Sequence, residues 1–171
     1  LMLVTIYTDG GADPNPGVGG WAAILRAGGV EKILTGNEPS TTNNRMELTA
    51  AIEALSALKR PCQVKFYTDS EYVRLGITEQ IGKWQAQDWQ RKGKPIPNAD
   101  LWQRLLPLTE THDIDWHWVK GHSGNTLNER VDVLARDARL AITPAVELNR
   151  ETRRIYARGT CKGNPGPGAW A

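Results

Sequence analysis

Leu3-Val4-Thr5-Ile6-Tyr7-Thr8 is a short β-prone run that breaks at Asp9-Gly10-Gly11, a turn signal. A Gly/Pro/Asn loop through Gly20 is expected next, then strands over Trp21–Leu25 and Lys32–Leu34 joined at Gly28-Gly29. The period then changes. Over residues 45–58 a broad apolar stripe (Met46, Ala50, Ala54, Leu55, Leu58) predicts a helix, capped by Asn43-Asn44 and stopped by Pro61. Val64–Thr68 is the fourth strand, ending at Asp69-Ser70, which can cap a short helix to about Leu75. A helix over Ile81–Trp89 leads into a basic loop, Arg91–Pro97, and Asn98 or Asp100 caps a further helix to about Leu108. Ile114–Val119 alternates as a strand, Lys120–Asn125 is a loop, and Leu127–Leu140 is helical, with Leu127, Val131, Leu134, Ala135 and Ala138 on one side. Three strands, a helix, then strand–helix–strand–helix make an α/β fold around a mixed sheet, its later strands joined by right-handed crossovers.

The 171 residues suit one domain, and 40% hydrophobic with 23% charged residues is enough to bury a core. No apolar run approaches the ~20 residues of a membrane span, and the start lacks a basic n-region and a cleavage site, so neither membrane nor secretory signal is expected. Cys62 and Cys161 form neither a disulfide framework nor a zinc cluster, and a reduced, cytoplasmic compartment is the simplest expectation. The net charge of +2 hides an uneven distribution: residues 83–94 carry +3, residues 150–162 carry +4, and the remainder −5. A basic patch beside an acidic body suits a protein that grips a polyanion and holds cations; two solvated basic stretches are the bland alternative.

The acids fall at informative places. Asp9 and Asp69 end the first and fourth strands, the edge where ligands bind in open α/β sheets if those strands are parallel neighbours. Glu47 lies in the first turn of the long helix, and Asp132 borders the apolar stripe of the last. Each has an ordinary explanation: a turn residue, a capping-box partner for Asn44, a helix N-cap, a solvated helix acid. If all four converge, mutual repulsion demands a cation, and hard oxygen ligands select Mg²⁺ or Mn²⁺ over zinc. Paired divalent ions about 4 Å apart serve in-line attack on a phosphodiester. Gly17-Val18-Gly19-Gly20-Trp21-Ala22 matches G-x-G-x-x-A, but Trp21–Leu25 continues as a strand with no helix N-terminus for a pyrophosphate, and no P-loop motif occurs; no nucleotide cofactor is expected.

Tyr7-Thr8-Asp9-Gly10, Asn15-Pro16-Gly17, Thr41-Thr42-Asn43-Asn44-Arg45-Met46-Glu47-Leu48, Thr68-Asp69-Ser70-Glu71, Asp100-Leu101-Trp102-Gln103-Arg104 and Trp118-Val119-Lys120-Gly121-His122 through Asn128-Glu129-Arg130 resemble bacterial ribonuclease H, type 1, in order and spacing over residues 3–141. The resemblance implies a ribonuclease-H-like, five-stranded mixed sheet of order 3-2-1-4-5 flanked by helices. It implies endonucleolytic cleavage of the RNA strand of RNA/DNA hybrids by a two-metal-ion mechanism, leaving 5′-phosphate and 3′-hydroxyl ends. Asp9, Glu47, Asp69 and Asp132 would bind two Mg²⁺ ions, with Mn²⁺ able to substitute. His122 would assist proton transfer or product departure from a mobile loop, and Glu129 would help attract or release a metal. Asn15, Asn43, Gly10 and Gly11 match positions that meet 2′-hydroxyls, which distinguish the RNA strand. Thr42 and Asn15 match a pocket for a DNA-strand phosphate, with Arg45 nearby, and Lys83, Arg91, Lys92 and Lys94 belong to a basic protrusion. Two rivals stand beside this reading, a same-fold DNA nuclease and a non-catalytic hybrid-binding module. A monomer is expected.

Two features depart from the pattern, Glu71 and the stretch Gln85-Ala86-Gln87-Asp88 of the protrusion. Glu71 stands where many relatives have glutamine; it would repel phosphate or turn outward. Trp84, Trp89 and Trp102 surround the protrusion, where packing between helices is a simpler role than stacking on substrate. Residues 155–171 align without gaps on residues 6–22 with nine identities, as the opening of a second such unit in which Arg158 replaces Asp9. The expected organisation is therefore a catalytic domain over 1–142, a linker over 143–154 and a tail over 155–171, in a fragment of a longer product. Ile155-Tyr156 could pair with an open sheet edge; a basic arm is the alternative.

Gln85-Ala86-Gln87-Asp88 occupies a stretch that is rich in lysine and arginine in the well-known bacterial examples. Fewer phosphate contacts release fewer counterions, so hybrid affinity measured against salt concentration should be weaker and fall with a shallower slope than for those relatives. A steep slope would contradict this.

Overall fold

The computed structural model describes residues 1–147, with side chains to Ile142. Five strands form one sheet: β1 (Met2–Ala12), β2 (Gly17–Ala27), β3 (Val30–Thr41), β4 (Cys62–Thr68) and β7 (Asp113–Trp118). Between β3 and β4 runs α1 (Asn43–Ser56). The crossover from β4 to β7 carries α2 (Glu71–Leu75), a π turn at Gly76–Gln80, α3 (Ile81–Ala86), a two-rung hairpin of β5 (Gln90–Arg91) and β6 (Lys94–Pro95), and α4 (Ala99–Thr111). The chain ends its described course in α5, Thr126–Glu147. The strand order is β3-β2-β1-β4-β7, antiparallel at β3/β2 and β2/β1 and parallel at β1/β4 and β4/β7. This is the expected 3-2-1-4-5 arrangement, β7 being its fifth strand.

Side chains alternate across the sheet with period two, and both faces are covered. Val4, Ile6, Ala23, Leu25, Val64 and Phe66 meet α1 and α4 through Leu48, Ile52, Leu55, Trp102 and Leu105. On the opposite face Tyr7, Ala22 and Ile24 meet Val131 and Ala135 of α5. Trp84 and Trp89 pack against the first of these cores, and Trp84 lies tilted on the fully buried Trp102 with ring centroids 5.3 Å apart. The three tryptophans therefore pack the protrusion onto the body. Among the described residues no helix is long and apolar enough to cross a membrane.

Several local expectations are corrected. Asp9-Gly10-Gly11 is strand rather than turn, because β1 stays paired with β2 to Ala12↔Gly19 after its parallel pairing with β4 has ended at Tyr7↔Tyr67. The glycine run from Gly17 is likewise strand: Gly20 would collide with Ala135 and Arg139 of α5 if it carried a Cβ, so its bare backbone lets that helix approach. The cap of α1 is Thr42, left extended at the end of β3, whose hydroxyl accepts from Arg45 N–H at 3.2 Å; Asn43 and Asn44 are the first helical residues. The helix expected over Ile81–Trp89 stops at Ala86, and Asp88 and Trp89 adopt left-handed φ values of 53° and 59° as the chain turns into the hairpin. α5 runs past Leu140 to Glu147, although Pro144 within that stretch supplies no N–H to the helix ladder. It thereby takes in residues 143–147 of the expected linker. The tail over 155–171 lies outside the described residues.

His112, 6% exposed, links the end of α4 to β4: its Nδ1 accepts from Cys62 N–H at 3.1 Å. Burial holds its pKa below the usual value, opposed by a hydrogen bond to the Leu55 carbonyl. A depressed imidazole contributes stability above the unfolded pKa of about 6.5, lost as pH falls through the lower folded value. Between about pH 7 and 5 the parent chain should lose more melting temperature than His112→Gln, which keeps an acceptor but does not titrate. Equal losses would show that His112 is not the group responsible.

Candidate active site

The site forms where the parallel part of the sheet ends. Asp9 and Asp69 lie two residues beyond the aligned pair Tyr7 and Tyr67, on the same face as those rings, which stack 4.5 Å apart. Glu47 reaches them from α1 on the other face. Gly10 allows that: a Cβ there would collide with the Met46 carbonyl, so only a glycine lets the first turns of α1 lie against β1. The nearby Gly10 N–H favours the charged form of the Glu47 carboxylate, against the larger effect of burial. One oxygen each from Asp9, Glu47 and Asp69 lies within 4.8 Å of the others. Asp132, half-buried on α5, lies within hydrogen-bonding reach of Asp9 but outside that tight group of three.

The ordinary explanations of Asp9, Glu47 and Asp69 do not hold. Ser70, not Asp69, caps α2, its hydroxyl accepting from Val73 N–H at 3.1 Å, while Thr68 Oγ1 accepts from Ser70 N–H at 3.2 Å. The two hydroxyls satisfy the turn and leave the Asp69 carboxylate to the site. Glu47 closes no capping box, and Asp9 is 8% exposed within a strand. Burial, the hydrogen bond with Asp132 and repulsion from Asp69 push Asp9 up to about 8, and burial followed by repulsion from Asp9 raises Glu47 well above the carboxylate range. Glu47 Oε2 is enclosed with no hydrogen-bond partner. An orphaned carboxylate oxygen among hard oxygen donors fits a divalent cation of the Mg²⁺ or Mn²⁺ type, and nothing in the set is soft enough for zinc.

Around the carboxylates the other expected residues fall at several distances. Asn43 Oδ1 accepts from Ala12 N–H at 2.7 Å, and Asn15 Oδ1 accepts from Asn43 N–H at 3.1 Å. Both amides thus turn their carbonyls inward, and their exposed NH₂ groups bond no described residue. His122 is exposed at φ 57° on the loop whose Gly121 abuts Asp69, and Glu129 is exposed on the first turn of α5. Arg45 is held bidentately by Asp100 at 2.8 and 3.0 Å and also donates to Asn98 Oδ1 at 3.3 Å. Its charge is therefore spent on the start of α4 rather than left open. Glu71 turns outward to Arg74 at 3.5 Å. Lys83, Arg91, Lys92 and Lys94 are exposed and make no ion pair with a described residue.

Asn128 belongs to the resembling segment but is not among the expected site residues. It is 3% exposed and its Nδ2 donates to Asp69 Oδ2 at 3.4 Å. The signal was its spacing, one turn before Asp132 and so on the same face of α5. Arg136 and Arg139, further along, line a cleft of about 190 Å³ with Asp9, Gly10, Gly11 and Asp132.

A mixed sheet with acids converging at the ends of its parallel strands has the architecture of a nuclease whose carboxylates are able to hold a cation. The RNase H family profile matches residues 2–139. The chain is 57% identical over 141 residues to ribonuclease H of Acidiphilium cryptum (strain JF-5), covering 82% of this chain and 88% of that one. It is 59% identical over 136 residues to ribonuclease H of Cupriavidus necator, covering 79% and 94%. Among solved structures, LC9-RNase H1, a type 1 RNase H with the type 2 active-site motif, superposes with a TM-score of 0.74 at 34% identity, over 82% of this chain and 73% of that one. The chain belongs to the ribonuclease H family.

A carboxylate raised in the folded state contributes stability below its unfolded pKa and loses it as pH rises through the folded value, here from about 4 to about 8. In EDTA, Asp9→Asn should therefore melt higher than the parent, by more at about pH 8.5 than at about pH 4.5. A variant less stable at the higher pH would contradict the repulsion.

Proposed function

We propose that the chain is an endonuclease that hydrolyses the RNA strand of RNA/DNA hybrids, leaving 5′-phosphate and 3′-hydroxyl ends, with Asp9, Glu47, Asp69 and Asp132 holding two Mg²⁺ ions or Mn²⁺ in their place. The convergence of three buried or half-buried carboxylates within 4.8 Å carries this reading, and membership of the family supplies the substrate. The fold neighbour LC11-RNase H1, crystallised with an RNA/DNA hybrid, matches with a TM-score of 0.64 at 21% identity. When bound, the cations supply a water of lowered pKa and neutralise charge on the phosphate under attack.

The chain's own residues do the rest. Burial and mutual repulsion favour protons on Asp9 and Glu47, so low pH would compete with cation binding at these carboxylates. His122, beside the site on a projecting loop, is placed to exchange a proton at an imidazole nitrogen. The free amide NH₂ groups of Asn15 and Asn43 and the backbone at Gly10 and Gly11 meet 2′-hydroxyls and so choose the RNA strand. Thr42, whose hydroxyl proton is free while its oxygen caps α1, serves with Asn15 at a DNA-strand phosphate, and Lys83, Arg91, Lys92 and Lys94 serve further along that strand. Arg45 acts through its hold on Asn98 and Asp100. The outward turn of Glu71 toward Arg74 spares the substrate its charge. The buried free thiol of Cys62 suits a reduced, cytoplasmic setting, and a monomer suffices for the site.

Labelled RNA/DNA hybrid, duplex DNA and duplex RNA, each with Mg²⁺, Mn²⁺ or EDTA, test the proposal. Only the hybrid's RNA strand should be cut, EDTA should stop cutting, and Asp9→Asn should lower kcat by about a thousandfold or more, about 4 kcal/mol of barrier. Cutting of duplex DNA would favour a same-fold DNA nuclease, and tight binding without cutting a non-catalytic module.

A further inference from the structure

Asn128 is a buried amide with an unusual arrangement of partners. Its backbone N–H donates to Asn125 Oδ1 at 3.0 Å, which starts α5, and its side-chain Nδ2 donates to Asp69 Oδ2 at 3.4 Å. Its Oδ1 is enclosed and meets no donor. The amide cannot turn over to relieve this, because Oδ1 would then face a carboxylate oxygen, acceptor against acceptor. Asp69 thus dictates the orientation of Asn128 at the expense of a carbonyl left unsatisfied. From another direction Gly121 closes on the same oxygen: a Cβ there would stand 3.0 Å from Asp69 Oδ2.

We infer that Asn128 is a positioning residue, which with the backbone at Gly121 fixes the plane of the Asp69 carboxylate for cation binding and ties that plane to the segment bearing His122. The inference rests on the cation-dependent reading above, but not on the identity of the nucleic acid. The argument is geometric. Mg²⁺ demands near-octahedral ligands, so a carboxylate free to rotate binds it less well than one already oriented, and outer hydrogen bonds to metal ligands are worth about 10- to 100-fold in affinity. Asp69 follows directly on β4, with a short helix behind it, and Asn128 is the one side chain of the described residues that bonds its carboxylate. The i, i+4 relation of Asn128 and Asp132 lets one face of α5 bring a ligand to the site and orient another that arises on the sheet.

The test is a calorimetric Mg²⁺ titration of the parent, Asn128→Leu and Asn128→Ala without nucleic acid. Leucine keeps the shape while removing both the donor and the stranded carbonyl, and its metal-free melting temperature should stay within about 3 °C of the parent. Both variants should bind Mg²⁺ about tenfold more weakly. In the hybrid assay the Mg²⁺ concentration for half-maximal rate should rise equally, with KM for hybrid at saturating Mg²⁺ unchanged. Unaltered Mg²⁺ affinity in either folded variant would overturn the inference, whatever happens to stability. A parent chain that binds Mg²⁺ but leaves hybrid intact would instead defeat the substrate reading, and the calorimetric comparison would still decide the role of Asn128.

Discussion

The structure is organised around an unfavourable interaction. Asp9, Glu47 and Asp69 are held within mutual reach by strands and a helix that pack for their own reasons, and the field they create is relieved only by protons or by cations. The packing that enforces this is identifiable. Val4, Ile6, Leu48 and Ile52 join β1 to α1, and the bare backbone of Gly10 lets the helix begin close enough to place Glu47 over the sheet edge. Val131 and Ala135 press α5 on the other face, where Asp132 and Asn128 are delivered. Hydrophobic burial therefore supports a polar centre that would not assemble unaided.

Chemistry and recognition are carried by different parts of the fold. Asp9, Glu47 and Asp132 sit within β1, α1 and α5 and Asp69 directly follows β4, while the groups suited to reading a nucleic acid lie toward element ends and on the connections and protrusion beside them. Asn15 and Asn43 are each anchored through the side-chain carbonyl, which accepts from the Asn43 and Ala12 backbone N–H groups respectively, and this presents two amide donors held in place. The protrusion is fastened by Trp84, Trp89 and Trp102 and leaves four cations pointing into solvent. Arg45, by contrast, looks in sequence like a substrate contact and is consumed in holding Asp100.

The strands and helices were legible from short periodic patterns, the sheet order only through the family resemblance, and the acids that converge from where they fall on those elements. Strand ends carrying aspartate and a helix turn carrying glutamate mark positions directly. What was not legible depended on partners distant in sequence. Gly10 and Gly20 read as turn residues, since nothing local shows that a helix needs their missing side chains. Asn43 and Asn44 read as caps because they are good ones, and Thr42 won because β3 already held it extended. The protrusion helix ended early where left-handed residues turn the chain. Asn128 carried a usable signal, its spacing from Asp132, but its contact with Asp69 appears only when strand and helix are seen together.

Anomalous scattering from crystals soaked in Mn²⁺ addresses the central claim most directly. The account requires a strong peak among the carboxylates of Asp9, Glu47 and Asp69, weakened as the soak is made more acidic. Crystals that give no peak there at neutral pH, or that place manganese elsewhere with these three carboxylates ignored, would contradict it.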